Sequence, residues 1–388
     1  MARRILIFSQ SRFYGGDDTV LIALARSWPD PEDRLTVALN SLHPGAGIYA
    51  RALKGRAELR LLPENESPAA LLARPLAFLS SLFRLRRFVR EEKPDVLILS
   101  TGGFPLTALT WRFLCAARLS AVPRIILAVH NYPHAKPGRL RGLYLGLFGR
   151  LALLLCNEVM AVSRDLAQNL ERYNLNKKRP LSVIFNGLVP RAPETSLADK
   201  KRALGTRNET LIGAIGNLEE RKGFKHLVSS MLEILGEVPD AKLVIIGATV
   251  DAEVYGELLE LISHLGLGEK VHLTGFTPDA GRYAECFSVC VIPSVARESF
   301  GLLALEAMRY KKPVVAARTG GIPEIVIDGE TGLLVPAEDP GALARAILSL
   351  LKSPELSRKM GEAGHRRWLE RFSAERMARE YRQLASRP

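Results

Sequence analysis

Short runs of apolar and β-branched residues recur along nearly the whole chain, each followed by a segment long enough for a helix. In the first half they read RILIFS, LTVALN, LRLLP, DVLILS, RIILAV, EVMAVS and SVIFN. In the second half they read LIGAIG, KLVIIG, VHLTG, CVIPS, PVVAA and GLLVP. A strand wetted on one face alternates apolar with polar residues. These runs are apolar throughout, which predicts parallel strands covered on both faces. Strands alternating with helices give an α/β, doubly wound architecture. At 388 residues the chain exceeds one ordinary core. The stretch from Leu188 to Thr210 is polar, holds two prolines and lacks a strand. It predicts a boundary between two Rossmann-like domains with parallel sheets, residues 1–188 and 189–371. The amphipathic segment at about 372–388, with Phe372 and Tyr381, is expected to cross back to the first domain. Two such domains facing each other create a cleft. Ligands in open α/β sheets bind outside the carboxyl ends of the strands, so the loops there are weighed first.

Composition narrows the classes. Hydrophobic residues at 47% and charged residues at 24% are globular proportions. Four cysteines (Cys115, Cys156, Cys286, Cys290) are too few for a disulfide framework and point to a reducing, cytoplasmic compartment. Cys286 and Cys290 lack a second Cys/His pair and read as buried small hydrophobes rather than as a metal site. The opening MARRILIFSQ has no small-residue cleavage site after it, so a first strand is expected rather than a signal peptide. No stretch reaches ~18 uncharged apolar residues, the span of a membrane helix.

The net charge of +13 favours anionic partners. Two segments concentrate it. Residues 74–93 carry six basic and two acidic side chains, and residues 139–155 carry three arginines and no acid. Both have large apolar residues at near-helical spacing. One reading is two core-facing helices with a solvated basic rim; the other is a surface that docks on anionic lipid headgroups. Zinc-finger spacing, RNA-binding aromatic signatures and basic stripes interleaved with aromatics do not occur, so nucleic acid is not an expected partner.

Four strand-end loops can carry chemistry. In YGGDD, Gly15 and Gly16 allow backbone amides close to an anion at a helix start; equally they make a tight turn capped by Asp17 or Asp18. G-x-G-x-x-G is absent. In AVHNYPH, His130 follows a buried strand directly at its carboxyl end; His134 is the weaker candidate. In GNLEERKGF, Arg221 and Lys222 precede Gly223 and a helix, a setting suited to a diphosphate and also to a solvated basic turn. The last is RESFGLLALEAM. Glu298 lies before the helix, where a carboxylate accepts from sugar hydroxyls, and the amides of Phe300, Gly301 and Leu302 can hold phosphate oxygens. Glu306 falls in an apolar run, where a bare carboxylate is costly without a partner. In a helix it sits ~12 Å further along the axis than Glu298 and about 80° round, so the two are separate anchors and no close dyad. Gly320 and Gly321 add a glycine loop nearby, and no Asp-x-Asp clamp for a metal occurs.

At these residues the chain resembles the family 4 glycosyltransferases of GT-B fold. ESFGLLALEAM is similar to that family's glutamate-x7-glutamate motif. YGGDD, AVHNY, AVSRDL, VIFNGL, ERKGFKHL and TGGIPEIVIDGETGLLVPAEDP extend the likeness over roughly residues 3–345. The resemblance implies transfer of a sugar from a nucleotide donor, UDP- or GDP-linked, to a glycan or lipid-linked acceptor with retention at the anomeric carbon, and without metal or cofactor. It implies that Lys222 holds the donor diphosphate, Glu306 the ribose hydroxyls, and Glu298 the transferred sugar. His130 lies at the reacting centre, the amides of Ser299, Phe300, Gly301 and Leu302 hold the distal phosphate, and Gly16 approaches from the other domain. Where the family commonly has arginine after the glycine, this chain has Asn217; either Arg221 substitutes for it on the donor or the diphosphate is held with fewer charges. The expected place is bacterial cell-surface glycan assembly, in the cytoplasm at the inner membrane face. A sugar-nucleotide epimerase of the same fold and a non-catalytic sugar-nucleotide binder are the competing readings.

Overall fold

The computed structural model describes residues 2–11, 14–62, 75–102, 106–132, 139–171, 181–191, 196–206 and 209–387. Each apolar run quoted above contains a strand, and the strands form two sheets that are parallel throughout. The chain divides into two compact units, Met1–Val189 with Ala374–Pro388, and Pro190–Ser373.

The first unit holds β1 (Arg4–Ser9), β2 (Arg34–Asn40), β3 (Ala57–Leu62), β4 (Val96–Thr101), β5 (Arg124–Val129), β6 (Glu158–Ala161) and β7 (Ser182–Val183), in the order β3-β2-β1-β4-β5-β6-β7. β4 and β5 are buried along their whole length, which is why they show no polar alternation. β1 lies between β2 and β4, with Ile5 opposite both Leu35 and Val96. The direction of winding reverses there, so the loops after β1 and β4 diverge and leave a crevice. Helix α1 (Gly16–Arg26) leaves the β1 loop.

α2 (Pro75–Glu92) and α3 (Arg139–Leu155) are the two basic segments. α2 buries Ser81, Leu85 and Val89, one residue per turn, and Phe88 packs edge-on against Phe113 at 6.2 Å. Its other side exposes Leu79 and Phe83 (64% accessible) beside Arg84, Arg87 and Arg90. α3 buries Ala152 and Leu153 while exposing Leu147, Arg150, Leu151 and Leu154. Core packing therefore accounts for one side of each helix and leaves an apolar, arginine-bearing side in solvent. No helix among the described residues is long and apolar enough to cross a membrane.

The final helix (Ala374–Ser386) belongs to this first unit. Its first amide, on Ala374, donates to the Leu188 carbonyl at 3.1 Å, and Tyr381 is buried with its hydroxyl 3.1 Å from the Met160 sulfur. Arg124 of β5 donates to the Leu384 carbonyl at 2.9 Å while paired with Glu158.

The second unit holds β8 (Thr210–Ile215), β9 (Ala241–Ile246), β10 (Val271–Leu273), β11 (Val289–Ile292), β12 (Val314–Ala317) and β13 (Leu333–Val335), in the order β10-β9-β8-β11-β12-β13. Ile212 of β8 stands opposite Val289 of β11, so the reversal falls between these two strands. The loop after β8 leads into α4 (Phe224–Glu237), and the loop after β11 leads into α5 (Leu302–Arg309).

Candidate functional site

The reversal in the second unit brings two distant stretches together. After β8 the chain makes a 3-10 turn over Glu220–Lys222 and enters α4 through Gly223, whose φ of 67° is left-handed. A side chain at 223 would also meet the Pro293 carbonyl oxygen at 2.2 Å, so this loop lies directly on the end of β11. The amides of Val295 and Ala296 donate to the Arg221 carbonyl at 3.0 and 3.3 Å and tie the two loops together.

Lys222 and Glu298 meet at this junction. The Lys222 Nζ is 2.5 Å from Glu298 Oε1, the Ser294 hydroxyl donates to the same oxygen at 2.7 Å, and an Arg221 guanidinium nitrogen stands at 3.7 Å. Glu298 is only 6% exposed. Burial pushes its carboxyl upward; Lys222, Ser294 and Arg221 outweigh that and hold it below the usual carboxylate range. Arg221 also pairs with Glu219 at 2.6 Å, while Asn217 is exposed at the end of the β8 loop.

Downstream of Glu298 the backbone is shaped for close approach. Ser299 and Phe300 are buried, and the Phe300 ring packs edge-on to Phe372 at 6.1 Å. Gly301 caps α5 with φ 97° and ψ 61°, and no side chain caps the helix. The uncapped amino end carries a partial positive charge and inward-facing N–H groups, the elements of an anion site. The amide of Gly321, in the glycine loop after β12, donates to the Glu298 carbonyl at 2.7 Å and braces the turn.

Glu306 lies within α5, 7% exposed, with its carboxylate packed on Gly281. Its partner is Arg309, one turn on. An ion pair between Arg191 and Asp279 contributes charge nearby. Burial dominates and raises the Glu306 carboxyl above its usual range, against the pull of Arg309 and Arg191. The two glutamates thus have different partners among the described residues, Lys222 and Ser294 for Glu298 and Arg309 for Glu306.

In the first unit, His130 follows β5 directly, and its amide donates to the Thr101 carbonyl at 3.0 Å. Gly16 opens α1. Of the two possible caps, Asp18 serves: the Gly15 amide donates to Asp18 Oδ2 at 2.7 Å. Asp18 Oδ1 accepts from the Tyr49 hydroxyl at 2.9 Å and stands 3.0 Å from His43 Nε2, all three residues being buried. His134 lies outside the described residues. Sequence reasoning missed Arg191, Asp279, Arg309, His43 and Tyr49. Only Arg309 carried a local signal, its i+3 spacing from Glu306.

Two family models cover most of the chain. Residues 14–191 match Glycosyltransferase Family 4 and residues 198–367 match Glycosyl transferases group 1. The chain belongs to this glycosyltransferase family. Among relatives of this family 4 chain, the lipopolysaccharide core biosynthesis glycosyltransferase LpsE of Rhizobium meliloti is 28% identical over 89% of this chain and 90% of its own. N-acetyl-alpha-D-glucosaminyl L-malate synthase of Bacillus anthracis is 30% identical over 58% of each chain. D-inositol 3-phosphate glycosyltransferase of Corynebacterium diphtheriae is 36% identical over 42% of this chain. The matches to these last two span 58% and 39% of the relatives' own lengths. The fold is that of HepE from Anabaena, whose crystal structure in complex with UDP-glucose aligns with a TM-score of 0.78 over 99% of both chains at 21% identity. Sucrose-phosphate synthase from Thermosynechococcus elongatus aligns at 0.75 over 98% of both chains, 22% identical. The family 4 chain thus has the GT-B construction, two Rossmann-like parallel-sheet units.

Proposed function

We propose that this chain is a retaining glycosyltransferase that moves a sugar from a UDP- or GDP-linked donor to an acceptor hydroxyl in the assembly of bacterial cell-surface glycan. The observation that carries the reading is the contact between Lys222 and Glu298 at the β8/β11 reversal, next to the uncapped end of α5. Two cations and a set of amides suited to a diphosphate adjoin a buried carboxylate suited to sugar hydroxyls. In this reading Lys222, Arg221 and the amides from Ser299 to Leu302 hold the diphosphate, Asn217 borders it, and Glu306 takes the ribose hydroxyls. His130 stands at the reacting centre, and the backbone at Gly16 approaches the diphosphate or acceptor. The name of the Rhizobium relative supports the placement in envelope glycan assembly.

Chemically, the bond from the anomeric carbon to the diphosphate breaks with its electron pair going to phosphate. The acceptor oxygen attacks the oxocarbenium-like carbon from the same face, and its proton passes to the leaving phosphate. Charge growing on that phosphate is met by Lys222, Arg221 and the helix amides, a preorganised electrostatic effect that needs no metal ion. The test is turnover of UDP- and GDP-sugars with glycan and lipid-linked acceptors, with product configuration read by NMR. A product retaining the donor's anomeric configuration is expected. An inverted product, or free epimerised donor in its place, would contradict the proposal.

The acceptor side is assigned to the inner face of the plasma membrane. Exposed Leu79 and Phe83 on α2, and Leu147, Leu151 and Leu154 on α3, lie among arginines. Basic residues near an anionic surface contribute about 1 kcal/mol each. The protein is expected to sediment with phosphatidylglycerol vesicles at low salt and to release as salt rises. Failure to sediment at low salt would leave a soluble acceptor as the better assignment.

A further inference from the structure

Asp17 has no structural task that its neighbours leave to it. The cap of α1 is Asp18, which also takes Tyr49 and His43, while the Asp17 side chain makes no hydrogen bond among the described residues. Its carboxylate turns instead toward β4 and β5. Oδ2 lies 3.1 Å from where a side chain on Gly102 would begin, so that glycine leaves it room. Oδ1 lies 3.9 Å from His130 Nδ1. His130 is 2% exposed, and neither ring nitrogen has a hydrogen-bond partner among the described residues. A buried imidazole left unbonded on both sides is costly, and such a group calls for a ligand or water that completes it.

We propose that Asp17 is a hydroxyl-binding residue that works as a pair with His130: a single hydroxyl of the sugar or acceptor sits between them, donating to Asp17 Oδ1 and accepting from His130 Nδ1–H. The spacing decides this. At 3.9 Å the two atoms are too far apart to bond each other, and close enough for one oxygen to bond both. A hydroxyl supplies the one donor and the lone pair that this arrangement needs. The position supports it as well, since Asp17 follows β1, Gly102 follows β4 and His130 follows the neighbouring β5, all at the carboxyl ends of strands beside the β1/β4 reversal where α/β sheets take ligands. The charges facing this spot are Asp17 and Asp18 from α1, with Tyr381 of the final helix facing Asp17. The hydroxyl's identity rests on the transferase reading; the pairing of Asp17 with His130 does not.

The test is Asp17→Asn, which keeps the shape and removes the charge. NMR titration of the His130 imidazole reads the pair without any ligand. A neighbouring carboxylate favours imidazolium, so the His130 pKa is expected to fall in the variant. Release of UDP or GDP from UDP-glucose and GDP-mannose reads the role in turnover. The rate is expected to fall about tenfold or more, the loss of one good hydrogen bond to a charged group. Stabilisation by UDP or GDP alone, which lack the sugar, is expected to stay as in the unaltered protein. An unchanged imidazole titration would overturn the pairing, and an unchanged release rate would overturn the role in binding the hydroxyl. If the unaltered protein turns over no UDP- or GDP-sugar with any of the acceptors above while the imidazole still shifts, the pair stands and the transferase reading is what fails.

Discussion

Lys222→Ala is expected to abolish sugar transfer while the second unit stays folded. Removing the cation that bonds Glu298 directly and borders the proposed diphosphate site should lower turnover by at least ~10²–10³-fold, the usual effect of deleting a preorganised charge at a leaving group. The structural cost is smaller. Glu298 keeps the Ser294 hydroxyl at 2.7 Å and has Arg221 at 3.7 Å, so it is left underpaired and not bare. Loss of a charge-assisted bond of this kind costs about 1–3 kcal/mol, or roughly 2–10 °C of Tm for a unit of this size. The pH dependence follows from the sign of the shift. The Glu298 carboxyl is held below its usual 4.5 in the folded chain. It therefore contributes stability that is present above the unfolded value and lost as pH falls through the folded one. In Lys222→Ala that acid-side loss should shrink, and melting curves between neutral and acid pH would show it. Unchanged turnover in this variant would mean that the diphosphate lies elsewhere.

Gly301→Ala is expected to damage both the fold and the donor site. The φ of 97° at this residue lies in the region that side-chain-bearing residues avoid. A methyl group there would also meet Ile322 Cδ1 at 2.4 Å, and Ile322 is fully buried. Backbone strain of about 1–3 kcal/mol and overpacking of a similar size add, giving a Tm lower by roughly 5–15 °C. The turn that aims the α5 amides would move with it. A nucleotide sugar that stabilises the intact protein should therefore stabilise this variant far less. A variant with the original Tm and full response to donor would show that this turn does not shape the anion site.

Strands were legible because burial on both faces leaves a mark in every residue of β4 and β5. The contacts of the site were less so. Lys222 and Glu298 are 76 residues apart, and nothing local in either stretch announces the other. Only the strand order, with β8 beside β11, makes them neighbours. The likeness of ESFGLLALEAM to a known motif found the residues, and the topology supplied the reason they meet. At the first loop, Asp17 and Asp18 were equivalent as caps by residue type. Asp18 is the third residue of the helix counted from Gly15, the position that reaches back to the capping amide. That geometry freed Asp17 for the pair with His130. Glu306 was flagged as a carboxylate in need of a partner, and Arg309 is that partner. The Arg191–Asp279 pair was invisible because its members come from separate loops.

The central claim is that Lys222 and its surroundings grip a nucleotide sugar. The most direct measurement is thermal stability with a panel of UDP-, GDP- and ADP-sugars, taken on the intact chain and on Lys222→Ala in parallel. A ligand at a hundredfold its Kd adds about 2.7 kcal/mol to apparent stability. One donor class is expected to raise the midpoint of the intact chain by several degrees and to leave the variant nearly unmoved. Equal shifts in both proteins, or none in the intact one with any donor, would contradict the account.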